Sequence, residues 1–347
     1  MKYSRNKINN AGKALLAGPE TGFPFIDANI VVDDWRKLHM LPLIELVQDV
    51  TMALANKGVI AAFSSYRLKR MTSVIAKLKH NPDMGLGGLQ DIGGARFVFK
   101  DVPSLLKAQK VISETSFKHF TVDRKPYDYV ARPKESGYRS IHFAYKYVSD
   151  DQEYDGLRVE LQLRTRLQHD WAMAVETAEL ISKSPLKASL GDPNWLSFFK
   201  LASAVFARKE ELPVAESFKD YSERDFCIEY ASLDKENKFL DRLQALVSAV
   251  NITEKHSLKN GYAVIFIQFD EKKVQLRHYD LDAFDEATQY YSDVEKSIKE
   301  DNSAVVLVSV SDMKELKEAY PSYFLNAGEF IQALQEFNAS CKAKQYV

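Results

Sequence analysis

Apolar and polar residues alternate from Val159 to Thr165, and this alternation places Glu160, Gln162 and Arg164 on one face. A period of two residues is typical of a β-strand with one buried face. Taken alone, the pattern favours a strand whose polar face meets solvent. The alternative is a functional face, because a carboxylate can bind Mg²⁺ or accept a proton and an arginine can bind phosphate through two hydrogen bonds.

The same patterning along the rest of the first half predicts a mixed β-sheet flanked by helices. Strands are expected at residues 96–100, 127–131, 141–148 and 157–165, the last two forming an antiparallel pair. Helices are expected at residues 34–58, 64–80, 103–112, 166–181 and 195–212. Asp34 is the expected N-cap of the first helix and Pro42 its expected kink. Residues 1–19 carry four cations and no acid, which indicates a frayed tail or an arm that contacts phosphates.

The second half predicts a smaller α+β unit that begins near residue 226. A helix is expected at residues 235–250, a strand pair at 262–269 and 273–279, a helix at 283–300, a strand at 304–310, and a helical end. The predicted division is an N-terminal arm and helix (1–59), a core domain (60–185), connecting helices (186–225) and a C-terminal domain (226–347).

Composition fits a soluble globular protein and excludes disorder as the main state, since 46% of the 347 residues are hydrophobic and 27% are charged. The longest apolar runs, such as residues 59–63, are too short to span a bilayer, so no membrane role is expected. Cys227 and Cys341 lie far apart without a paired motif. We therefore expect neither a disulfide framework nor a zinc site, and a cytoplasmic location.

Charge is unevenly distributed although the net charge is −1. Residues 1–180 hold 26 Lys and Arg against 21 Asp and Glu, and residues 181–347 hold 21 against 27. Residues 51–82 contain six cations and no acid. This basic segment is either a solvated helix face or a clamp for a triphosphate.

Two further motifs carry chemistry. Asp91 follows a glycine-rich segment and precedes Gly93 and Gly94, a pattern that suits a metal-bound nucleotide or an ordinary turn. In the segment Lys134–His142, Tyr138 can stack on a base while Arg139 and His142 reach phosphate or ribose. The plainer interpretation is a core tyrosine and a structural histidine.

The order of these motifs resembles the synthetase domain of the RelA/SpoT homologue family over about residues 60–182. The matching pattern is Arg67-x-Lys69-x3-Ser73-x3-Lys77, Asp91-x2-Gly94-x-Arg96, Tyr129-x3-Pro133-Lys134-x2-Gly137-Tyr138-x-Ser140-x-His142 and Glu160-x-Gln162-x-Arg164-Thr165. The resemblance implies a nucleotidyltransferase-like sheet. It also implies transfer of pyrophosphate from ATP to the 3′-hydroxyl of a nucleotide acceptor, with release of AMP.

The resemblance assigns roles by position. It implies that Asp91 and Glu160 bind Mg²⁺ and that Glu160 activates the acceptor hydroxyl. The implied ATP and phosphate ligands are Arg67, Lys69, Ser73, Lys77 and Arg96. The implied acceptor ligands are Lys134, Tyr138, His142, Gln162 and Arg164, with Tyr138 stacking on the acceptor base. About 60 residues precede this segment, so the hydrolase domain of the long family members is not expected.

A second resemblance concerns Tyr320-Pro-Ser-Tyr323, which is similar to the Tyr-x-x-Tyr segment of CapRel-like fused toxin–antitoxins. It implies that the C-terminal domain blocks the ATP site until a phage protein, such as a major capsid protein, releases it. The released enzyme would then modify the 3′ CCA end of tRNA and stop translation as an antiviral defence. The alternative is that Tyr320 and Tyr323 are core aromatics.

Three functions therefore stay open at this point. The first is a tRNA pyrophosphokinase controlled by its own C-terminal domain, and the second is a monofunctional (p)ppGpp synthetase acting on GDP or GTP. The third is a degenerate nucleotide-binding regulator, which the presence of both Asp91 and Glu160 argues against.

Overall fold

The computed structural model describes residues 2–182, 191–237, 239, 240, 243, 261–268, 273–297, 303–310 and 328–347. Its helices are α1 (Arg5–Ala17), α2 (Phe23–Leu38), α3 (Met40–Asn56), α4 (Met71–His80), α5 (Val102–Glu114), α6 (Arg166–Ser182), α7 (Pro193–Lys209), α8 (Glu223–Asn237), α9 (Phe284–Ser297) and α10 (Gly328–Ala343). Its strands are β1 (Phe63–Leu68), β2 (Gly93–Phe99), β3 (Phe120–Asp128), β4 (Ile141–Tyr147), β5 (Arg158–Thr165), β6 (Gly261–Gln268), β7 (Lys273–Tyr279) and β8 (Ser303–Val310).

Five strands form a mixed sheet in the order β1-β2-β5-β4-β3. β2 and β5 run parallel, while the other neighbours pair antiparallel. The antiparallel β4–β5 pair confirms the pair expected from the sequence. The mixed sheet with flanking helices confirms the predicted fold class.

One face of this sheet packs on a helical layer. Ala95 and Phe97 on β2 and Leu161 on β5 are buried in the same core as Leu43 and Leu46 of α3. Because side chains alternate along a strand, the intervening residues of β2 and β5 project to the opposite face. The helical layer therefore leaves the face with Glu160 available for a site.

Local signals explain the helix that enters this layer between β2 and β3. The Asp101 carboxylate accepts a hydrogen bond from the Ser104 backbone N–H at 2.9 Å and caps α5. Leu105, Ala108 and Ile112 then recur at helical spacing and are buried. The predicted helices at residues 103–112, 166–181 and 195–212 are confirmed by α5, α6 and α7.

Two further cores lie beyond the sheet. Aromatic side chains from α7, α8 and α10, including Trp195, Phe198, Tyr230 and Phe330, form one of them with α6. The other lies between α9 and a three-stranded antiparallel sheet in the order β7-β6-β8. This sheet confirms the predicted strands at residues 262–269, 273–279 and 304–310 and the smaller α+β unit. The domain boundaries given above remain predictions, and most of the helix expected at residues 235–250 lies outside the described residues.

The helix expected at residues 64–80 is wrong in its first half. Residues Phe63–Leu68 form β1, which pairs antiparallel with β2, and the helix begins only at Met71. Phe63 and Ser65 are buried, so pairing with the sheet outweighs the helix-capping signal of the serines. Arg67 and Lys69 consequently do not lie on one helix with Lys77.

The N-terminal expectations also need correction. Residues 1–19 are not a frayed tail, because α1 is capped by Ser4 and buries Ile8 and Leu15. The next helix begins at Phe23 instead of Asp34, and the chain breaks at His39 instead of Pro42. Pro42 lies in the first turn of α3, where its missing N–H leaves no hydrogen bond unmade.

Strand β3 spans Phe120–Asp128, so the strand expected at residues 127–131 is misplaced. At Asp128 the chain turns, because the carboxylate accepts hydrogen bonds from the backbone N–H groups of Val130 and Ala131 at 3.0 and 2.9 Å. An aspartate that binds the backbone two and three residues ahead ends a strand in this way.

Cys227 of α8 and Cys341 of α10 form a disulfide across 114 residues of sequence. The expectation that the cysteines are unpaired is therefore wrong. Their separation along the chain carried no information about the packing of α10 on α8, which brings both residues together.

One stretch in the described residues, Phe23–Asn56, is long and apolar enough to cross a membrane by length and composition alone. It is divided at His39 into α2 and α3, and its residues Leu43, Leu46 and Val50 are buried against the rest of the protein. The same apolar pattern is that of a core helix.

Candidate active site

A row of residues across four strands centres on Glu160. Arg67 on β1 faces Gly94 on β2, Gly94 faces Glu160 on β5, and Glu160 faces Ala144 on β4. A side chain added at Gly94 would meet nothing within 4 Å. The small residues on both sides of Glu160 therefore leave room for a substrate above the sheet.

Glu160 belongs to a closed ring of hydrogen bonds. Arg164 Nη2 donates to Gln162 Oε1 at 2.9 Å, and Gln162 Nε2 donates to Glu160 Oε2 at 2.7 Å. Glu160 Oε1 lies 2.8 Å from His142 Nδ1, and His142 Nε2 lies 2.8 Å from the Tyr138 hydroxyl. Arg164 Nη2 closes the ring by donating to that hydroxyl at 2.7 Å. The ring fixes the orientation of the carboxylate with donors on both of its oxygens.

The ring also sets the ionisation of its members. Burial alone would raise the pKa of Glu160, but hydrogen bonding and the charge of His142 outweigh it and lower the pKa. Burial would likewise raise the pKa of Tyr138, but the charges of Arg164 and His142 lower it to about 8. Glu160 is therefore a carboxylate at neutral pH, ready to accept a proton.

Asp91 lies just before β2 and binds two lysines. Lys69 Nζ and Lys77 Nζ each lie 2.9 Å from Asp91 Oδ2. Burial would raise the pKa of Asp91, but the two ammonium groups lower it to about 2. The other oxygen, Oδ1, is buried and has no hydrogen-bond partner among the described residues. The structure thus brings together Lys69, Lys77 and Asp91, and Ser73 lies on α4 one turn before Lys77. Their roles toward ATP and Mg²⁺ remain predictions.

Arginines lie on the same sheet face as Glu160. Nε of Arg96 and both Nε and Nη1 of Arg164 are buried without hydrogen-bond partners in the described part of the chain. Burial lowers the pKa of Arg96 to about 9, with further contributions from the charges of Arg164 and Arg67. Like charges held this close favour binding of an anion.

The same residues fit a magnesium ion. Mg²⁺ in phosphoryl-transfer sites is held by one or two carboxylates together with water and substrate phosphates. Asp91 supplies an oxygen that has no partner in the described part of the chain. The charge of Asp91 also opposes the lowering of the Glu160 pKa, which indicates that the two carboxylates are close. The described residues contain no group of three or more acids, histidines or cysteines that could hold a metal without such a substrate.

The predicted site residues of the segment 134–139 divide into two groups. Lys134 Nζ lies 5.3 Å from the centroid of the Tyr138 ring, so both reach the site. Tyr138 is half-buried, and base stacking on it remains a prediction. Arg139 points elsewhere, because it is buried and donates to the carbonyl oxygens of Val130 and Pro213. Its expected contact with phosphate or ribose is wrong.

The sequence reasoning missed a contact between the two halves of the chain. Glu295 of α9 accepts hydrogen bonds from Arg36 Nη1 and from the backbone N–H of Met71, both at 3.0 Å. Arg36 is fully buried and also donates to Tyr291 at 2.9 Å and to Asp33 at 3.2 Å. Glu295 lies more than 200 residues from both Arg36 and Met71 in the sequence, and no local pattern links it to them. Tyr320 and Tyr323 lie outside the described residues.

Residues 66–184 match the family model described as "Region found in RelA / SpoT proteins". A GTP pyrophosphokinase of Bacillus subtilis, YjbM, is 34% identical over 119 residues, which cover 32% of this chain and 52% of that protein. An uncharacterised protein of Mycobacterium tuberculosis is 31% identical over 106 residues, covering 30% of this chain and 35% of its own. The chain thus spans a third to a half of the length of these curated relatives.

Solved structures of similar fold include two small alarmone synthetases of Bacillus subtilis. Synthetase 1, bound to its product pppGpp, is 24% identical, with a TM-score of 0.39 over 48% of this chain and 84% of that one. Synthetase 2 is 17% identical, with a TM-score of 0.43 over 51% and 92%. The family match covers the sheet residues that carry Asp91 and Glu160, so the RelA/SpoT resemblance of this region is confirmed.

Proposed function

We propose that the chain is a pyrophosphokinase that transfers pyrophosphate from ATP to the 3′-hydroxyl of a nucleotide acceptor. The observation that carries the proposal is the Glu160 carboxylate, which lies on an open sheet face beside the guanidinium groups of Arg96 and Arg164. Three of their nitrogens have no hydrogen-bond partner among the described residues. A site for phosphoryl-type transfer needs a positioned base and cations that neutralise phosphate charge. This face supplies both.

In the proposed reaction, Glu160 accepts the proton of the acceptor 3′-hydroxyl. The hydroxyl oxygen bonds to the β-phosphorus of ATP, and the bond from that phosphorus to the oxygen bridging the α-phosphate breaks. AMP leaves with this bridging oxygen. His142 and Gln162 hold the carboxylate in place by hydrogen bonds at 2.8 and 2.7 Å.

The phosphates of ATP would lie against the cations of the sheet face. Arg67, Lys69, Lys77 and Arg96 would bind them. Arg164 would position the acceptor. Bound Mg²⁺ would neutralise phosphate charge, with Asp91 and Glu160 as its protein ligands.

For the acceptor, we propose the 3′ CCA end of tRNA, in line with the CapRel-like resemblance. The alternative acceptor is GDP or GTP, which is favoured by the similarity to a GTP pyrophosphokinase. ATP labelled in its terminal phosphates, incubated with deacylated tRNA or with GDP, separates the two. Label in tRNA supports the first acceptor, and label in GDP alone contradicts it.

We further propose that the C-terminal half inhibits the enzyme. The Glu295 carboxylate accepts the N–H of Met71, the first residue of α4, which is where a helix binds anions such as phosphate. A carboxylate from α9 thus occupies an anion position next to Lys69 and Arg67. Such a contact supports inhibition by occupation of the phosphate region.

Tyr320 and Tyr323 are proposed to extend this inhibition, and a phage protein to relieve it. Replacing Tyr323 with Ala should increase the toxicity of the expressed protein if this segment holds the inhibited state. Unchanged toxicity with unchanged soluble yield would speak against a role of Tyr323.

A further inference from the structure

A stack of rings and cations lies at the end of β3 and in the loop that follows it, beside the proposed active site. The rings of Tyr127 and Tyr129 stack with centroids 5.6 Å apart and planes at 20°. The Arg124 guanidinium lies 3.9 Å from the Tyr127 centroid, and Lys134 Nζ lies 4.6 Å from the Tyr129 centroid. We call these four residues the β3 ladder. Each ring of the stacked pair thus has one cation beside it.

A β-bulge turns this ladder toward the site. Arg124 pairs with Ala144 and Tyr127 pairs with His142, so three residues along β3 match two residues along β4. In a regular strand, residues three apart point to opposite faces. Because the bulge adds one residue to β3, Arg124 and Tyr127 lie on the same face of the sheet. This is the face that carries Glu160.

The ladder begins close to the carboxylate. Arg124, Ala144 and Glu160 lie in one row across three neighbouring strands. Strands are about 4.8 Å apart, so the backbones of Arg124 and Glu160 are separated by about 10 Å. The pKa of Tyr129 is raised mainly by burial and by Tyr127, and the charge of Glu160 makes a smaller contribution. This contribution is consistent with Glu160 lying close to Tyr129.

The ladder is available to a ligand. Tyr127 is 44% exposed and Lys134 is exposed, whereas Arg124 is partly buried. The nearby acids are already engaged, since Asp123 pairs with Arg158 at 3.2 Å and Glu135 pairs with Lys200 at 3.1 Å. These two acids therefore do not neutralise Arg124 or Lys134, and the positive charge of both residues can attract a phosphate backbone.

We propose that the β3 ladder binds the single-stranded RNA segment that precedes the acceptor nucleotide, with Tyr127 and Tyr129 stacking on bases and Arg124 and Lys134 contacting phosphates. Aromatic stacking accepts any base, and interleaved cations follow the backbone, as in proteins that bind single strands. A mononucleotide at Glu160 would leave the ladder empty. The ladder thus selects an oligonucleotide acceptor, an inference that rests on the proposed function of Glu160.

The test measures RNA binding by the full chain. The contacts of Glu295 reach Arg36 and Met71 near β1, which is the sheet edge opposite β3. Binding can therefore be measured without an activator, by fluorescence anisotropy of a labelled single-stranded oligoribonucleotide of about eight nucleotides ending in CCA. The variants are Tyr127→Ala and Tyr127→Phe. The control is Val122→Ala on the same strand, because Val122 is 63% exposed and pairs with Tyr145 of the opposite sheet face.

Tyr127→Ala should weaken binding about tenfold, whereas Tyr127→Phe and Val122→Ala should bind like the wild type, because stacking requires the ring and not the hydroxyl. Equal affinity of Tyr127→Ala and wild type overturns the ladder proposal, and so does a wild type that does not bind the oligonucleotide.

The transfer assay with labelled ATP judges the proposed function separately. If RNA binding depends on the Tyr127 ring but no acceptor receives label, the ladder proposal is supported and the proposed pyrophosphokinase function is contradicted. If GDP receives label but the chain does not bind the RNA, the ladder proposal is contradicted and the proposed pyrophosphokinase function is supported.

Discussion

The central residue of the account, Glu160, has a donor on each carboxylate oxygen. Its polar neighbours on β5 were predictable, since the alternation of Val159–Thr165 places Gln162 and Arg164 on its face. The closure of the ring through Tyr138 was not predictable, because it depends on the register between β4 and β5. Periodicity along one strand gives the face of a residue but not its partner on the next strand.

Gln162→Leu should lower the free energy of unfolding by about 2 kcal/mol, because a buried carboxylate loses a charge-assisted donor. The loss of stability caused by Gln162→Leu should be smaller in a Glu160→Gln background, where the carboxylate charge is already absent. Denaturant unfolding of the two single variants and the double variant gives the coupling energy. Strict additivity would show that the 2.7 Å contact contributes nothing to stability.

His39 should make stability depend on pH. Burial lowers the pKa of His39 from its ordinary value of 6.5 to about 4, so between these pH values the unfolded chain binds the proton more readily than the folded chain. Stability should therefore fall as pH decreases from about 6.5 toward 4, with a contribution of about 2 kcal/mol at pH 5.

The comparison of wild type with His39→Gln measures this contribution. The stability advantage of the wild type should be about 2 kcal/mol smaller at pH 5 than at pH 7.5, since the variant has no imidazole to protonate. An advantage that is constant over this range would contradict the buried neutral state.

Among the secondary-structure elements, the segment from Phe63 to His80 shows where sequence reasoning failed. Cationic residues at helical spacing suggested one helix, but β1 occupies its first part because the edge of β2 offers backbone partners. The bulge in β3 is similar, since it is defined by pairing with β4. Longer elements such as α5 and α7 were predictable because caps and apolar periodicity agree in them.

The disulfide between α8 and α10 gives a prediction at this scale. Denatured protein without reductant should take up no thiol-alkylating reagent, and reduced protein should take up two molecules, as measured by mass spectrometry. Opening a loop of this length should lower the free energy of unfolding by about 4 kcal/mol.

Cys227→Ser serves as the matched variant. Its unfolding curve should resemble that of the reduced wild type and should not change on addition of reductant. A wild type with two reactive thiols before reduction would contradict the pairing.

At the scale of the whole molecule, the C-terminal half reaches the proposed phosphate region through a buried cluster in the described part of the chain. Arg36 joins α2 to α9, and Glu295 joins α9 to the start of α4. The charge difference between the halves was visible in the sequence, whereas the contact that uses it was not. Its partners come from distant elements, so only the folded chain defines them.

Glu295→Gln should raise pyrophosphate transfer at least about tenfold, because the neutral amide holds Arg36 and the α4 N-terminus more weakly than a carboxylate does. Glu286→Gln is the matched control, since Glu286 is an exposed acid on the same helix. Thermal unfolding of both variants shows whether a change in transfer comes from release of the inhibitory contact or from loss of the fold. Equal transfer by the Glu295 variant and the wild type would contradict inhibition through this contact.

The most direct test of the pyrophosphokinase uses the Glu295→Gln chain with and without Glu160→Gln. The measurement is the joint release of AMP and transfer of label from the terminal phosphates of ATP to tRNA or GDP. With Glu160 present, AMP and labelled acceptor should form in equal amounts. With Glu160→Gln, both should fall at least about a hundredfold, because the proton of the acceptor hydroxyl loses its base. Transfer at an unchanged rate without the Glu160 carboxylate would contradict the account.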